Sequence, residues 1–175
     1  MLASPESVFT QHEFWRPWTT LFAHANEKHL FSNLVFFSFF GVFLSGYFGL
    51  FLFPFLGFLV GGLVNFIVLA NMPAEAHLLG ASGVVFWMGG AWLSLYMLID
   101  LKRSLYQRAL RGLGVALAVF MPSETFDPQV SYSSHFYGFI LGVLCGVLFY
   151  VANRKKFARA VKTQLIIEEP SAIQY

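Results

Sequence analysis

Four polar side chains stand out in a chain of 175 residues that is otherwise almost continuously apolar. Ser82 lies in the run Gly80-Ala81-Ser82-Gly83 and His135 in Ser134-His135-Phe136-Tyr137-Gly138, while His29 and Asn33 bound His29-Leu30-Phe31-Ser32-Asn33. A serine hydroxyl is a weak nucleophile until a base takes its proton, and histidine is the side chain suited to that task near neutral pH. His and Asn spaced i,i+4 share one helix face, where their N–H groups could stabilise the oxyanion formed when a carbonyl is attacked. The nine acidic residues all fall in loops, tails or span ends. No buried carboxylate is then available to orient the histidine, which favours a dyad over a triad. The serine run is not the GxSxG elbow of soluble hydrolases, because Val84 occupies the last glycine position.

Taken singly, each residue also has an ordinary reading. A serine at a helix start is commonly an N-cap or bonds back to a carbonyl. His29 and Asn33 could merely hydrogen-bond a neighbouring helix. His12, His24 and His77 fall in outer loops or at helix edges and read as surface residues. His24 with His29 invites a metal reading, but there is no Cys partner and no HExxH, so neither a metal nor any other cofactor is expected. Cys145, the single cysteine, reads as a small apolar residue inside a hydrophobic stretch.

The elements that must position these groups are membrane helices. Hydrophobic residues make up 57% of the chain and charged residues 11%, too few to give a fold of this size a water-soluble surface. Between His29 and Ile99 only Glu75 carries a formal charge, and between Gly112 and Asn153 only Glu124 and Asp127 do. A net charge of +2 excludes a nucleic-acid binder. Five stretches read as spans of an all-α polytopic bundle: Leu30 to Phe48, Leu50 to Ala70, Ala81 to Ile99, Ser104 to Met121 and Ser131 to Ala152. The fourth is the weakest, since Arg108 and Arg111 must snorkel. Lys102, Arg103, Arg108 and Arg111, and then Arg154, Lys155, Lys156, Arg159 and Lys162, fall on one side of this layout, which the positive-inside rule makes cytoplasmic. The site residues then open to the outer face. The organisation is residues 1–28 as an outer N-terminal segment, 29–153 as the membrane domain and 154–175 as a cytoplasmic tail, the last residues of which, Thr163 to Tyr175, are solvated.

Two further features bear on the site. Ser134, Gly138, Gly142 and Gly146 form a small-xxx-small stripe on the last span, and the third span is small near Gly80 to Gly83 and again at Gly89 and Gly90. An intramolecular contact between these spans would carry Ser82 towards His135. The loop Pro122 to Val130 is expected to be a mobile cap, with Phe120, Met121 and Phe126 plugging a gap between helices.

The chain resembles the rhomboid family of intramembrane serine proteases. Trp15-Arg16 looks like the family's Trp-Arg pair in the first outer loop, and His29 to Asn33 matches HxxxN. Gly80 to Gly83 matches GxSG, and Ser134 to Gly138 resembles (A/S)HxxG with a further glycine four residues on. The resemblance implies Ser82 as nucleophile and His135 as general base, with His29, Asn33 and the Ser82 N–H as oxyanion donors. Gly80, Gly83, Phe86 and Gly138 would support them. It implies hydrolysis of peptide bonds in or beside transmembrane segments of membrane proteins, in a multi-pass protein of the bacterial inner membrane. A catalytically inactive, client-binding relative is the alternative. Three departures accompany the match. The family's first helix is missing, so a further hydrophobic span is expected upstream of Met1. Phe86 stands where the family often has a tyrosine. Leu44-Ser45-Gly46-Tyr47 replaces its Glu-x-Arg.

Overall fold

In the computed structural model, residues 2–120 and 131–168 are described, and they fold into helices joined by short connections. After an irregular turn at Glu6–Thr10 come α1 (Arg16–Thr19), α2 (Glu27–Phe48), α3 (Gly57–Leu69), α4 (Ser82–Ile99), α5 (Leu105–Phe120) and α6 (Tyr132–Glu168). Apart from one isolated bridge between Ala3 and Leu78, the described residues contain no β-structure. The expected cap, Pro122 to Val130, lies outside the described residues.

Among the described residues, four helical stretches are long and apolar enough to cross a membrane: Glu27–Phe48, Phe51–Leu69, Ser82–Ile99 and Tyr132–Ala160. The fifth expected span, α5, is a helix where one was predicted; it is described over 16 residues, Leu105–Phe120, up to the edge of the described residues, and is not among those four. Its first half is held to α4 by polar chemistry: the Arg108 guanidinium donates to the carbonyl of Met97. The second stretch is not one continuous helix either. Phe53, which precedes Pro54, is extended (φ −145°, ψ 131°), as the proline ring demands of its neighbour, and regular helix begins only at Gly57. At the other end of the chain α6 runs on past Ala152 to Glu168, so part of the expected tail is helical.

The core of the bundle is α4, flanked by α2, α3, α5 and α6. Trp87, Met88, Ala91 and Leu95 along it are fully buried, whereas α2 and α6 present Phe31, Val42 and Leu148, each about two-thirds exposed or more, away from the bundle. That is the pattern of helices solvated by hydrocarbon, where apolar side chains need not hide.

The α4–α6 contact is made at backbone distance. A Cβ added to Gly138 would stand 2.3 Å from the Gly83 carbonyl oxygen, and one on Gly142 would stand 2.1 Å from that of Trp87. One on Gly146 would meet Ser94 Oγ at 2.1 Å, and from the other side one on Gly90 would meet the Phe139 carbonyl oxygen at 2.3 Å. The small-residue stripe is therefore an intramolecular seam. Gly142→Ala should force the two backbones apart and lower Tm in detergent by an amount equivalent to about 1–3 kcal/mol. Gly114→Ala, on α5 with nothing within 4 Å of the added methyl, should leave Tm unchanged or raise it. Equal melting shifts for the two variants would contradict the seam.

Candidate active site

The approach to Ser82 is fixed from the N-terminal segment. Ala3 and Leu78 exchange backbone hydrogen bonds (3.2 and 2.7 Å), and the Thr20 hydroxyl donates to the Leu78 carbonyl at 2.8 Å. The Gly80 N–H donates to the Thr20 carbonyl at 3.1 Å. Gly80 itself sits at φ +105°, a conformation open to glycine and strained for other residues, and this turn delivers the chain into α4 at Ser82. Ala81 caps α4 without a side-chain hydrogen bond, so the first-turn N–H groups, that of Ser82 among them, have no acceptor within the helix.

His135 lies in the first turn of α6. Its N–H donates to the Ser131 carbonyl at 3.3 Å, and the Ser134 hydroxyl bonds that of Ser131 at 3.0 Å. Gly83 packs against this turn: its missing Cβ would stand 3.6 Å from the Ser134 carbonyl oxygen, while Gly138, one turn on, abuts the Gly83 carbonyl. Ser82 and His135 thus occupy facing turns at one level. The Phe86 ring lies flat on the imidazole, with centroids 3.9 Å apart and planes 8° from parallel. Tyr132 meets the same imidazole edge to face at 6.3 Å.

The third wall is the start of α2. Asn26 caps the helix by accepting from the His29 N–H at 2.8 Å, which sets the helix phase. With that phase both His29 and Asn33 turn towards Gly80, where an added Cβ would lie 2.9 Å from His29 Cε1, 3.3 Å from His29 Nε2 and 3.9 Å from Asn33 Nδ2. Asn33 is buried, and its amide nitrogen has no hydrogen-bond partner among the described residues. A buried amide donor left unpaired is costly, by about 1–3 kcal/mol, and such a donor is available to an acceptor that enters the site.

All the residues singled out from sequence therefore gather at one end of the bundle: Ser82, Gly83 and Phe86 on α4, His135 and Gly138 on α6, His29 and Asn33 on α2, and Gly80 between them. Trp15-Arg16 is held within the N-terminal segment. Arg16 is tied to Glu13 and to the Leu2 carbonyl (2.7 Å), and Trp15 is exposed. Three residues had gone unnoticed as positioning groups. Thr20 holds the Gly80 turn, and buried Asn65 donates to the Pro17 carbonyl at 2.9 Å, fastening the segment before α2 onto α3. His24, read as a surface residue, packs edge to face on His29 at 5.3 Å, with a buried Nε2 that has no partner among the described residues. The two histidines do meet, yet no group of three or more His, Cys, Asp or Glu forms among the described residues. For Thr20 and Asn65 the only signal was a polar residue in an apolar neighbourhood.

The fold and site define a bundle of membrane-length helices with a serine and a histidine on facing turns at one end. The Rhomboid domain family model matches residues 11–152, and the chain belongs to the rhomboid family. Among curated proteins and solved structures, nothing matches it.

The Phe86 stack carries a spectroscopic signature. A proton on the face of an aromatic ring is shielded, so Phe86→Leu should move the His135 ring-proton resonances downfield in NMR of histidine-labelled protein, whereas Phe86→Tyr should leave them nearly in place. An unmoved signal in Phe86→Leu would mean that the ring does not lie on the imidazole.

Proposed function

We propose that the chain is an intramembrane serine endopeptidase that cleaves peptide bonds in or next to the transmembrane segments of membrane proteins. The observation that carries this reading is the convergence of three helices: the Gly83 contact with Ser134 and Gly138 sets the turns that carry Ser82 and His135 against each other, while His29 and Asn33 turn to Gly80, two residues before Ser82. In the reaction His135 takes the Ser82 proton as Oγ attacks the substrate carbonyl. The oxyanion accepts hydrogen bonds from the Asn33 amide, the His29 ring and the Ser82 N–H. His135 then gives its proton to the leaving amine, and a water activated by the same imidazole hydrolyses the acyl-enzyme. No carboxylate is needed to hold the ring, because Phe86 does so by stacking. The distribution of Lys and Arg puts the site at the outer face of a multi-pass membrane protein, where water can reach it, and the C-terminus in the cytoplasm.

Ser82→Ala and His135→Ala should each abolish cleavage of a transmembrane model substrate, and Ser82→Ala should abolish labelling by a serine-reactive fluorophosphonate, with Tm in detergent unchanged. Unaltered turnover by Ser82→Ala would end the dyad assignment. A folded wild-type protein that neither labels nor cleaves would instead favour the inactive, client-binding reading.

Asn33→Ala separates catalysis from packing. Loss of one oxyanion donor costs roughly 100- to 1,000-fold in turnover, and sharing among three donors puts this variant at or below the lower end. The loss should fall on kcat with KM little changed. A destabilised variant with normal kcat would make Asn33 a helix-packing residue only.

A further inference from the structure

The end of α6 remote from His135 carries on as helix beyond its apolar stretch. A helix that enters a bilayer at Tyr132 crosses a hydrocarbon core of roughly 30 Å in about 20 residues, which brings it to Ala152. Lys155 and Lys156 then stand about 5–6 Å beyond Ala152, and Arg159 about 10 Å beyond it. The head-group layer on each side of a bilayer is about 5–8 Å deep. These cations therefore emerge at the depth of the lipid phosphates, closer to the membrane than a soluble partner would meet them.

The rotation of this segment is fixed from the inner side. Phe157 lies flat against Tyr150, with centroids 5.6 Å apart and planes 8° from parallel, and meets Phe48, the last residue of α2, edge to face at 6.2 Å. At about 100° per residue, Lys155, Lys156 and Arg159 share roughly a third of the helix circumference, on the side opposite Phe157. All three are exposed.

The α4–α6 seam brings further positive charge to the same level. Gly138 abuts Gly83, Gly142 abuts Trp87 and Gly146 abuts Ala91, a constant register that, continued, sets Ile99 level with Arg154. Lys102 and Arg103, in the turn that follows α4, come to the level of the α6 cations. Among the described side chains the carboxylate at this level is Asp100, and Arg103 already donates to it. A zwitterionic head group carries its own cation and gains little from such surroundings, whereas an anionic one gains from every Lys or Arg near it.

We propose that Lys155, Lys156 and Arg159 form a binding site for the phosphate head group of an anionic phospholipid in the cytoplasmic leaflet. The site rests on the membrane placement proposed above and is independent of hydrolysis at Ser82. Because α4 and α6 are held in register, a head group bound here also sets the depth at which Ser82 and His135 sit at the other end of the seam.

Electron spin resonance of the full chain in dioleoyl phosphatidylcholine vesicles tests the site without reference to catalysis, since a trace lipid labelled near the end of its acyl chain reports separately when held by protein and when in bulk. Spin-labelled phosphatidylglycerol should be enriched at wild type about twofold or more over spin-labelled phosphatidylcholine, and added sodium chloride should reduce that enrichment. Replacing the trio together (Lys155→Gln, Lys156→Gln, Arg159→Gln) should remove most of it with Tm unchanged, because Gln suits an exposed helix. The charge-keeping set Lys155→Arg, Lys156→Arg, Arg159→Lys should retain it, as should Lys28→Gln at the outer end and Ser82→Ala. No preference for phosphatidylglycerol in wild type, or an undiminished preference in the glutamine variant, would overturn the site. Calorimetric titration with glycerophosphoglycerol, the head group without its chains, should give no heat of binding in detergent; binding there that the glutamine variant loses would make the ligand a soluble phosphate and overturn the lipid assignment.

Discussion

The α4–α6 seam is the contact on which the remainder of this molecule depends. In hydrocarbon there is little hydrophobic force between helices, so two of them stay together only through dispersion and weak polar contacts at short range. Glycine at 138, 142 and 146, met by Gly83 and Gly90, brings carbonyl oxygens of one helix to where the other would otherwise carry a methyl group. The contact runs most of the length of α4, which fixes rotation and translation of the two helices together. Ser82 and His135 stand at the end of that seam, so their relative position is set by backbone packing over several turns and not by their own side chains. A pair of residues held in this way needs no salt bridge to keep it aligned.

The third component arrives by a different device. The segment before α2 is fastened by polar contacts to two places at once: to α3 through the Asn65 amide on Pro17, and to the loop before α4 through Thr20, Leu78 and Gly80. Each of these buried polar groups is satisfied, as burial in an apolar surrounding demands. The result is that the start of α2, and with it His29 and Asn33, is positioned relative to the Gly80 turn rather than relative to the membrane. Residues 2–28 are therefore tied to the helices by buried polar contacts.

Much of this was legible in the sequence, for physical reasons. The stripe of small residues at intervals of four could serve little other than close helix approach, and it began beside His135. The HxxxN spacing placed two donors on one helix face, and the structure keeps them there. What stayed illegible depended on partners or on length. Nothing in the local sequence says that Thr20 or Asn65 bonds a distant carbonyl, because a hydrogen bond across 58 or 48 residues leaves no periodic trace. His24 looked exposed because its neighbours Ala23 and Ala25 are small and Asn26 and Glu27 are polar, yet its ring is turned in against His29. α5 carries Arg108 and Arg111 in its first turns, so its apolar residues gather towards Phe120 and hydropathy marks it less clearly than the other four. Conversely Arg154 to Lys162 mark where a membrane face should lie but not where a helix ends, since Lys, Arg and Ala favour helix, and α6 continues through them.

On the proposed function, the site is a dyad that does without a third charged member. A carboxylate placed behind His135 would have to be desolvated among membrane helices, at a cost of several kcal/mol before any benefit from pairing. The flat stack of Phe86 holds the plane of the imidazole by dispersion, without adding a charge to the site. On the proposed mechanism charge then appears only during the reaction, as an imidazolium and an oxyanion formed close together, each offsetting part of the other's desolvation. The Asn33 amide, unpaired at rest among the described residues, gains its acceptor at the same moment. On that mechanism the electrostatic stabilisation falls in the transition state and the cost of the unpaired amide in the ground state, where the close packing of the glycine seam offsets it.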